Sequence, residues 1–322
     1  YAENALEPDV PIDYAQGDVF FALDMQPQVQ VFQAPFYQRM RDDGVFVSFL
    51  VHDLLPISMP EFFPNGAAAD HARWMKVVVH TDHVICVSRA TATATQEWID
   101  LNYSSVHPKV DWVHNGADIS SSNPSRGLPI DAPETLQKFT ERPTFLMVGT
   151  LEPRKAYSQV LDAADALWGE QDFNLVIVGK VGWHVEDLAA RLHAHPQLNQ
   201  RLFWLEGISD EYLTQVYAHA SCLIAASFGE GFGLPLIEAA QRQLPLIARD
   251  IPVFREVAGN HSLYFDALKP KALEEAIATW LSLYAAGQAP LSTGMPWLTW
   301  KQSAAMLIKH IPHHEMTHFK SI

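Results

Sequence analysis

The chain has 322 residues, 48% hydrophobic and 18% charged, enough apolar material for packed cores and far from the composition of a disordered chain. Lys and Arg number 22 against 37 Asp and Glu, a net charge of -15, which speaks against a broad electrostatic grip on nucleic acid or anionic lipid. At about 100–200 residues per domain the length favours two domains and a cleft between them.

The opening Y-A-E-N-A-L-E-P-D is acidic and polar and carries no cleavable-leader pattern. Short β-rich runs then alternate with helical patterns, the sequence sign of βαβ units and a parallel sheet. D-V-F-F-A-L (18–23), V-F-V-S-F-L-V (45–51), V-I-C-V (84–87) and V-D-W-V (110–113) are the strand candidates of the first half. Between the first two lies a helix, with Pro35 near its first turn and Gly44 just past its end. The longest apolar runs, such as 45–51, are too short to span a bilayer. The two cysteines, Cys86 and Cys222, sit inside apolar runs and read as buried thiols of a reducing compartment. A cytoplasmic setting is expected, with peripheral contact at the inner membrane face left open.

After Val113 the chain passes through H-N-G-A-D into S-S-S-N-P-S-R-G-L-P, a cluster that reads as a linker. The expected division is a Rossmann-like domain over 1–120, a linker over 121–142, a second Rossmann-like domain over 143–295, and a terminal helix and tail over 296–322. That terminal helix is expected to cross back to the first domain. The second half restarts with T-F-L-M-V-G (144–149) and continues with N-L-V-I-V-G (174–179), L-F-W-L (202–205), a strand near 221–226 and P-L-I-A (245–248). Several strands end on V-G-T, V-G-K or A-S-F-G-E-G. Ligands of open α/β sheets lie beyond the carboxyl ends of the strands, so these junctions should converge.

The stretch S-F-G-E-G-F-G-L-P-L-I-E-A-A (227–240) follows a strand and precedes a helix that Pro235 would start, with Leu236, Ile237, Ala239 and Ala240 facing the core. Gly229, Gly231 and Gly233 let the backbone approach a ligand, and the helix start adds partial positive charge, a fit for a diphosphate. A plain tight turn is the competing reading, since Gly-x-Gly alone is weak. Glu238, one turn beyond Leu234, can reach ribose hydroxyls, while Glu230 lies in the loop itself. Arg154 and Lys155 follow a strand-end glycine in an acidic chain, which suits an anion better than an idle helix start.

Glu, seven residues, Glu within F-G-E-G-F-G-L-P-L-I-E-A resembles the signature of retaining glycosyltransferases of family 4, which have the GT-B fold. The similarity extends through G-T-L-E-P-R-K (149–155), V-G-K-V-G-W (178–183), I-P-V-F-R-E-V-A-G (251–259) and W-L-T-W-K-Q-S-A (297–304), and more loosely through V-H-D-L-L-P and V-H-N-G-A-D. The resemblance implies an α/β GT-B protein with two Rossmann-like domains facing across a cleft. It implies that Glu238 holds the nucleotide ribose, and that Glu230 with the backbone of Phe232 and Gly233 holds the donor sugar, Gly231 and Leu234 also belonging to the donor site. Arg154 and Lys155 would neutralise the diphosphate, beside Gly149, Thr150, Gly179 and Lys180. Many members carry Arg where this chain has Thr150, which puts more weight on Lys155. The implied partners are a nucleotide-sugar donor and a carbohydrate or lipid-linked carbohydrate acceptor, with mannosyl-type transfer in polysaccharide assembly and no metal or other cofactor. By resemblance the acceptor attacks on the face the nucleotide leaves.

In the first half, His52 and Asp53 end a strand where the family faces its acceptor; a cap of the next turn is the competing reading for Asp53. Ser88 reads as an N-cap, and Asn115 and Gly116 resemble the family's hinge segment. The family's first strand and its Gly-rich loop have no match in residues 1–14, so the first domain is expected to be incomplete. A binding module without transfer, or a sugar-nucleotide epimerase, therefore stays open. His310, His313, His314 and His318 match no closed zinc spacing and read as a polar tail, and His80 with His83 as a weak pair on a helix end.

Overall fold

A computed structural model describes residues 12–118, 124–266 and 271–312. The first sheet has four parallel strands in sequential order: β1 Val19–Ala22, β2 Phe46–Val51, β3 His83–Cys86 and β4 Lys109–Trp112. The second has six parallel strands, β5 Thr144–Val148, β6 Asn174–Val178, β7 Leu202–Leu205, β8 Cys222–Ala225, β9 Leu246–Arg249 and β10 Leu263–Phe265, in the order β10-β9-β8-β5-β6-β7. All the expected strands form. β10 is an addition: its three residues follow the turn at 259–262 and pair with β9, too short a run to stand out by pattern.

Helices cover both faces of the second sheet, so its central strands are apolar throughout, and all five residues of β6 are buried. The two-residue period of a strand divides that sheet between two cores. Leu146, Val176 and Leu223 enter one, while their neighbours Phe145, Leu175 and Cys222 enter the other. In the first domain, Val47, Phe49, Val51, Val84 and Cys86 pack with Trp74, Met75 and Val78 of the helix Ala67–Val78. Trp74 is fully buried and its indole N–H donates to the Gln30 Oε1 at 2.6 Å; truncation to Ala would cost about 3–5 kcal/mol. Both cysteines are free and buried, and burial pushes the Cys86 thiol up to about 12.

Two sequence expectations are corrected. The segment assigned to the linker holds a helix, Ala132–Thr140, whose Ala132, Leu136 and Phe139 lie one or two turns apart and pack into a core of the second domain. His83 opens β3 rather than ending a helix, because Val78 and Val79 already close the preceding core face. The helix Trp300–Ile308, closed at its start by a Thr299–Gln302 capping box, returns to the first domain. Ser303 there donates to the His114 carbonyl at 2.6 Å, and a Cβ on Gly116 would run into the Trp300 backbone. His313, His314 and His318, part of the Ser/Pro/Gly stretch, and most of residues 1–14 lie outside the described residues.

Candidate active site

In the second sheet the strand order reverses beside β5: β6 follows on one side and β8 on the other. That reversal opens a crevice at the carboxyl ends of the two strands, the place where open α/β sheets bind ligands. Lys155, Tyr157, Ser227, Glu230, Gly233 and Phe254 are among the residues that line a pocket there.

The three strand-end loops meet tightly. A Cβ on Gly179, after β6, would overlap the Gly149 carbonyl after β5, and one on Gly182 would strike the Leu151 carbonyl. Gly149 has φ +137, closed to ordinary side chains, and its carbonyl accepts from the Tyr157 hydroxyl at 2.6 Å. Thr150 and Lys180 are exposed at this junction. The loop after β8 joins through Arg154, whose carbonyl accepts from the Phe228 N–H at 2.9 Å and whose Nη1 donates to the Gly229 carbonyl at 2.8 Å.

Arg154 and Lys155 sit on a single 3-10 turn, Pro153–Lys155, and both face Glu230. Lys155 Nζ lies 2.5 Å from Glu230 Oε1 and Arg154 Nη1 2.8 Å from Oε2, while Ser227 Oγ donates to Oε1 at 2.8 Å. Arg154 also pairs with Glu152 at 3.0 Å, so two cations and two carboxylates balance within the cluster. Burial alone would raise the Glu230 carboxyl, but Lys155 and Arg154 hold it below its ordinary value. Burial would likewise lower Arg154, and Glu230 with Glu152 more than offset it, so the guanidinium stays charged. Arg154 Nε is buried and has no partner among the described residues. Lys155 has three N–H donors, of which Glu230 takes one among the described contacts, so an anion can be met without breaking the pair.

The helix Leu234–Gln241 starts as expected, with Pro in its first turn and Gly233 at φ +96 as its N-cap. Leu236, Ile237, Ala239 and Ala240 are buried. The N–H groups of Gly231, Phe232 and Gly233 have no partner among the described residues. Glu238, half-buried on this helix, does not line the Lys155 pocket; its Oε2 accepts from the Tyr217 hydroxyl at 2.8 Å. Burial, then the Glu238 charge, raises that phenol well above its ordinary value, so it remains a donor.

The first domain touches the same loop. Ser88 caps the helix Arg89–Asn102 by accepting from the Thr91 N–H, and it also donates to the Gly231 carbonyl at 2.6 Å, joined by the Thr91 hydroxyl at 3.1 Å. A Cβ on Gly231 would run into the His52 carbonyl, so glycine is required where the domains meet. Asp53 caps the next turn, accepting from the Leu55 N–H at 2.9 Å, and the His52 side chain is exposed. The structure brings Gly149, Arg154, Lys155, Gly179 and the 230–234 loop together, with His52 and Asp53 across the loop.

Three contacts escaped sequence reasoning. Glu256 of the second domain accepts from the Arg89 and Ala90 N–H groups at 2.7 and 2.8 Å and from His114 Nε2 at 2.7 Å, bridging the domains at a helix start. Phe62 stacks on Phe228 with centroids 5.0 Å apart, and the Trp183 indole donates to the Phe62 carbonyl at 2.9 Å. Only the resemblance of I-P-V-F-R-E-V-A-G to a family motif marked Glu256 in advance.

Two Rossmann-like sheets facing each other across a loop at a strand-order reversal define the GT-B glycosyltransferase class. Residues 131–289 match the family described as "Glycosyl transferases group 1", and the chain belongs to that family. It is 45% identical over 310 residues to the serotype-specific mannosyltransferase WbdA of Escherichia coli, covering 94% of this chain and 38% of that protein. It is 28% identical to the O-antigen chain mannosyltransferase B of Escherichia coli over 72% of this chain and 59% of the relative. The chain thus spans about two fifths of the length of the WbdA relatives it matches. Among solved structures, Anabaena Alr3699/HepE in complex with UDP-glucose superposes with a TM-score of 0.68 at 18% identity, covering 91% of this chain and 79% of that one. The sucrose-phosphate synthase of Thermosynechococcus elongatus gives 0.67 at 17% identity, covering 90% and 72%. These two likenesses speak for the fold.

Proposed function

We propose that this chain binds a nucleotide diphosphate sugar at the β5/β8 crevice and transfers its hexose, with retention, to a carbohydrate or lipid-linked carbohydrate acceptor, as a mannosyltransferase of polysaccharide assembly. The observation that carries the reading is the half-buried Arg154–Lys155–Glu230 cluster beside the N–H groups of Gly231, Phe232 and Gly233, which have no partner among the described residues. The 45% identity to a mannosyltransferase supports the choice of sugar.

In this reading the remaining Lys155 donors and the loop N–H groups meet the diphosphate, stabilising charge that grows on it as the glycosidic bond breaks. Glu230, kept ionised by the two cations, accepts from sugar hydroxyls, and Glu238, steadied by Tyr217, accepts from the ribose. Gly149, Thr150, Gly179 and Lys180 wall the phosphate side, and His52 and Asp53 face the acceptor. No step calls for a metal. In this reading the reaction runs in the cytoplasm, with peripheral contact at the inner membrane face left open. Among the described residues no helix is long and apolar enough to cross a membrane.

The test is nucleoside diphosphate release from a panel of nucleotide sugars, with and without acceptor. Release that depends on acceptor supports transfer. Binding without release would leave only a binding module, and sugar conversion without acceptor would indicate an epimerase.

A further inference from the structure

Away from the crevice, His83, Asp111 and His310 come together from three separate places: the first residue of β3, the third of β4, and the turn after the helix Trp300–Ile308. His83 Nε2 lies 2.9 Å from Asp111 Oδ2, and His310 Nδ1 lies 3.1 Å from the same oxygen. The three atoms all fall within 4.8 Å of one another. We propose that these residues form a structural site for a zinc-class divalent ion that fastens the returning helix to the first domain.

Two imidazole nitrogens and one carboxylate oxygen are a donor set that suits zinc; tetrahedral bonds of about 2.0–2.2 Å set ligand atoms about 3.4 Å apart, so the two His–Asp contacts would open by a few tenths of an ångström and the two imidazole nitrogens would settle at that spacing. His83 is 1% exposed and fixed by the sheet, while His310 is 22% exposed at the end of its helix and free to make the adjustment. Three protein ligands leave a fourth position for water. His83 stands at the amino end of its strand, and the glycine loop meets the opposite, carboxyl ends, so the ion would hold structure and take no part in transfer. One group competes: Lys109 Nζ lies 2.6 Å from the same Asp111 oxygen. Its side chain is 64% exposed, so it can swing into solvent when an ion arrives. The competition makes a signed prediction, because removing the ammonium must strengthen binding, whereas a mere hydrogen-bonded trio has no such response.

The experiment titrates ZnCl2 into chelator-treated full chain by calorimetry and follows the melting temperature. One ion per chain is expected, with a rise in melting temperature. Asp111→Asn and His310→Ala should each weaken binding at least about tenfold and abolish the rise. Lys109→Ala should tighten binding, and a chain with His313, His314 and His318 replaced by alanine should bind as the parent does. His310→Ala changes a half-buried side chain at a helix end, so its outcome is readable even if Asp111→Asn folds poorly. No binding heat, binding that both site variants leave unchanged, binding lost with the three tail histidines, or a Lys109→Ala variant no tighter than the parent would each overturn the proposal.

Discussion

The carboxyl ends of the two sheets are built differently. In the second domain, charged side chains converge: Arg154 and Lys155 hold Glu230, and Tyr217 holds Glu238. In the first domain the same end meets the loop mostly through backbone and small hydroxyls, with the His52 carbonyl against Gly231, and Ser88 and Thr91 on the Gly231 carbonyl. In the proposed reading one side meets the charged donor, and the other positions the loop that meets it. Chemistry should therefore fail with donor-side charges, and geometry with the facing contacts.

The largest expected effect is on the charged side. Lys155→Ala removes the cation with spare donors, and turnover should fall about 100- to 1000-fold, the usual cost of removing one group that stabilises a leaving charge. A steady-state assay checks it, and His52→Ala, whose exposed side chain lies outside the cluster, should fall far less. Gly231→Ala probes the facing contact. Its methyl has no room against the His52 carbonyl, so the chain should lose about 1–3 kcal/mol of stability in denaturant unfolding. Scattering should also show the domains further apart.

Tyr217→Phe is nearly isosteric in a fully buried site and removes only the hydrogen bond to Glu238. Donor binding should weaken about tenfold, about 1.4 kcal/mol. The loss should be confined to ribonucleotides that carry the hydroxyls Glu238 accepts, and 2′-deoxy, 3′-deoxy donors should bind parent and variant alike. The smallest effect is on the bridge between domains. Burial alone would raise Glu256, but His114 and the Arg89 and Ala90 N–H groups hold it below its ordinary value. A depressed carboxyl contributes stability above its unfolded value and loses it as pH falls through the folded one. Acid unfolding should therefore set in below the ordinary carboxylate range, and His114→Ala should move its onset to higher pH.

The same contrast explains how much the sequence revealed. The second domain's strand-end loops were legible because their glycines and charged residues lie in contiguous stretches, G-T-L-E-P-R-K and F-G-E-G-F-G-L-P-L-I-E, each tied to a strand end. What stayed hidden was pairing across long separations. Nothing local announces that Lys155 and Glu230 neutralise each other, that Tyr217 steadies Glu238, or that Glu256 caps a helix of the other domain. The Ala132–Thr140 helix was masked by the polar segment before it, and β10 by its three-residue length. His310 looked like part of a polar tail because its partners, His83 and Asp111, are brought to it only by the return of the last helix.

The central claim is that the crevice between β5 and β8 binds the donor through Lys155. Calorimetric titration with GDP, UDP, ADP and dTDP, in the parent chain and in Lys155→Ala, tests it most directly. One nucleotide should bind at a single site in the parent and at least about tenfold more weakly in the variant, a difference of about 1.4 kcal/mol. Equal affinity in the two chains would contradict the account.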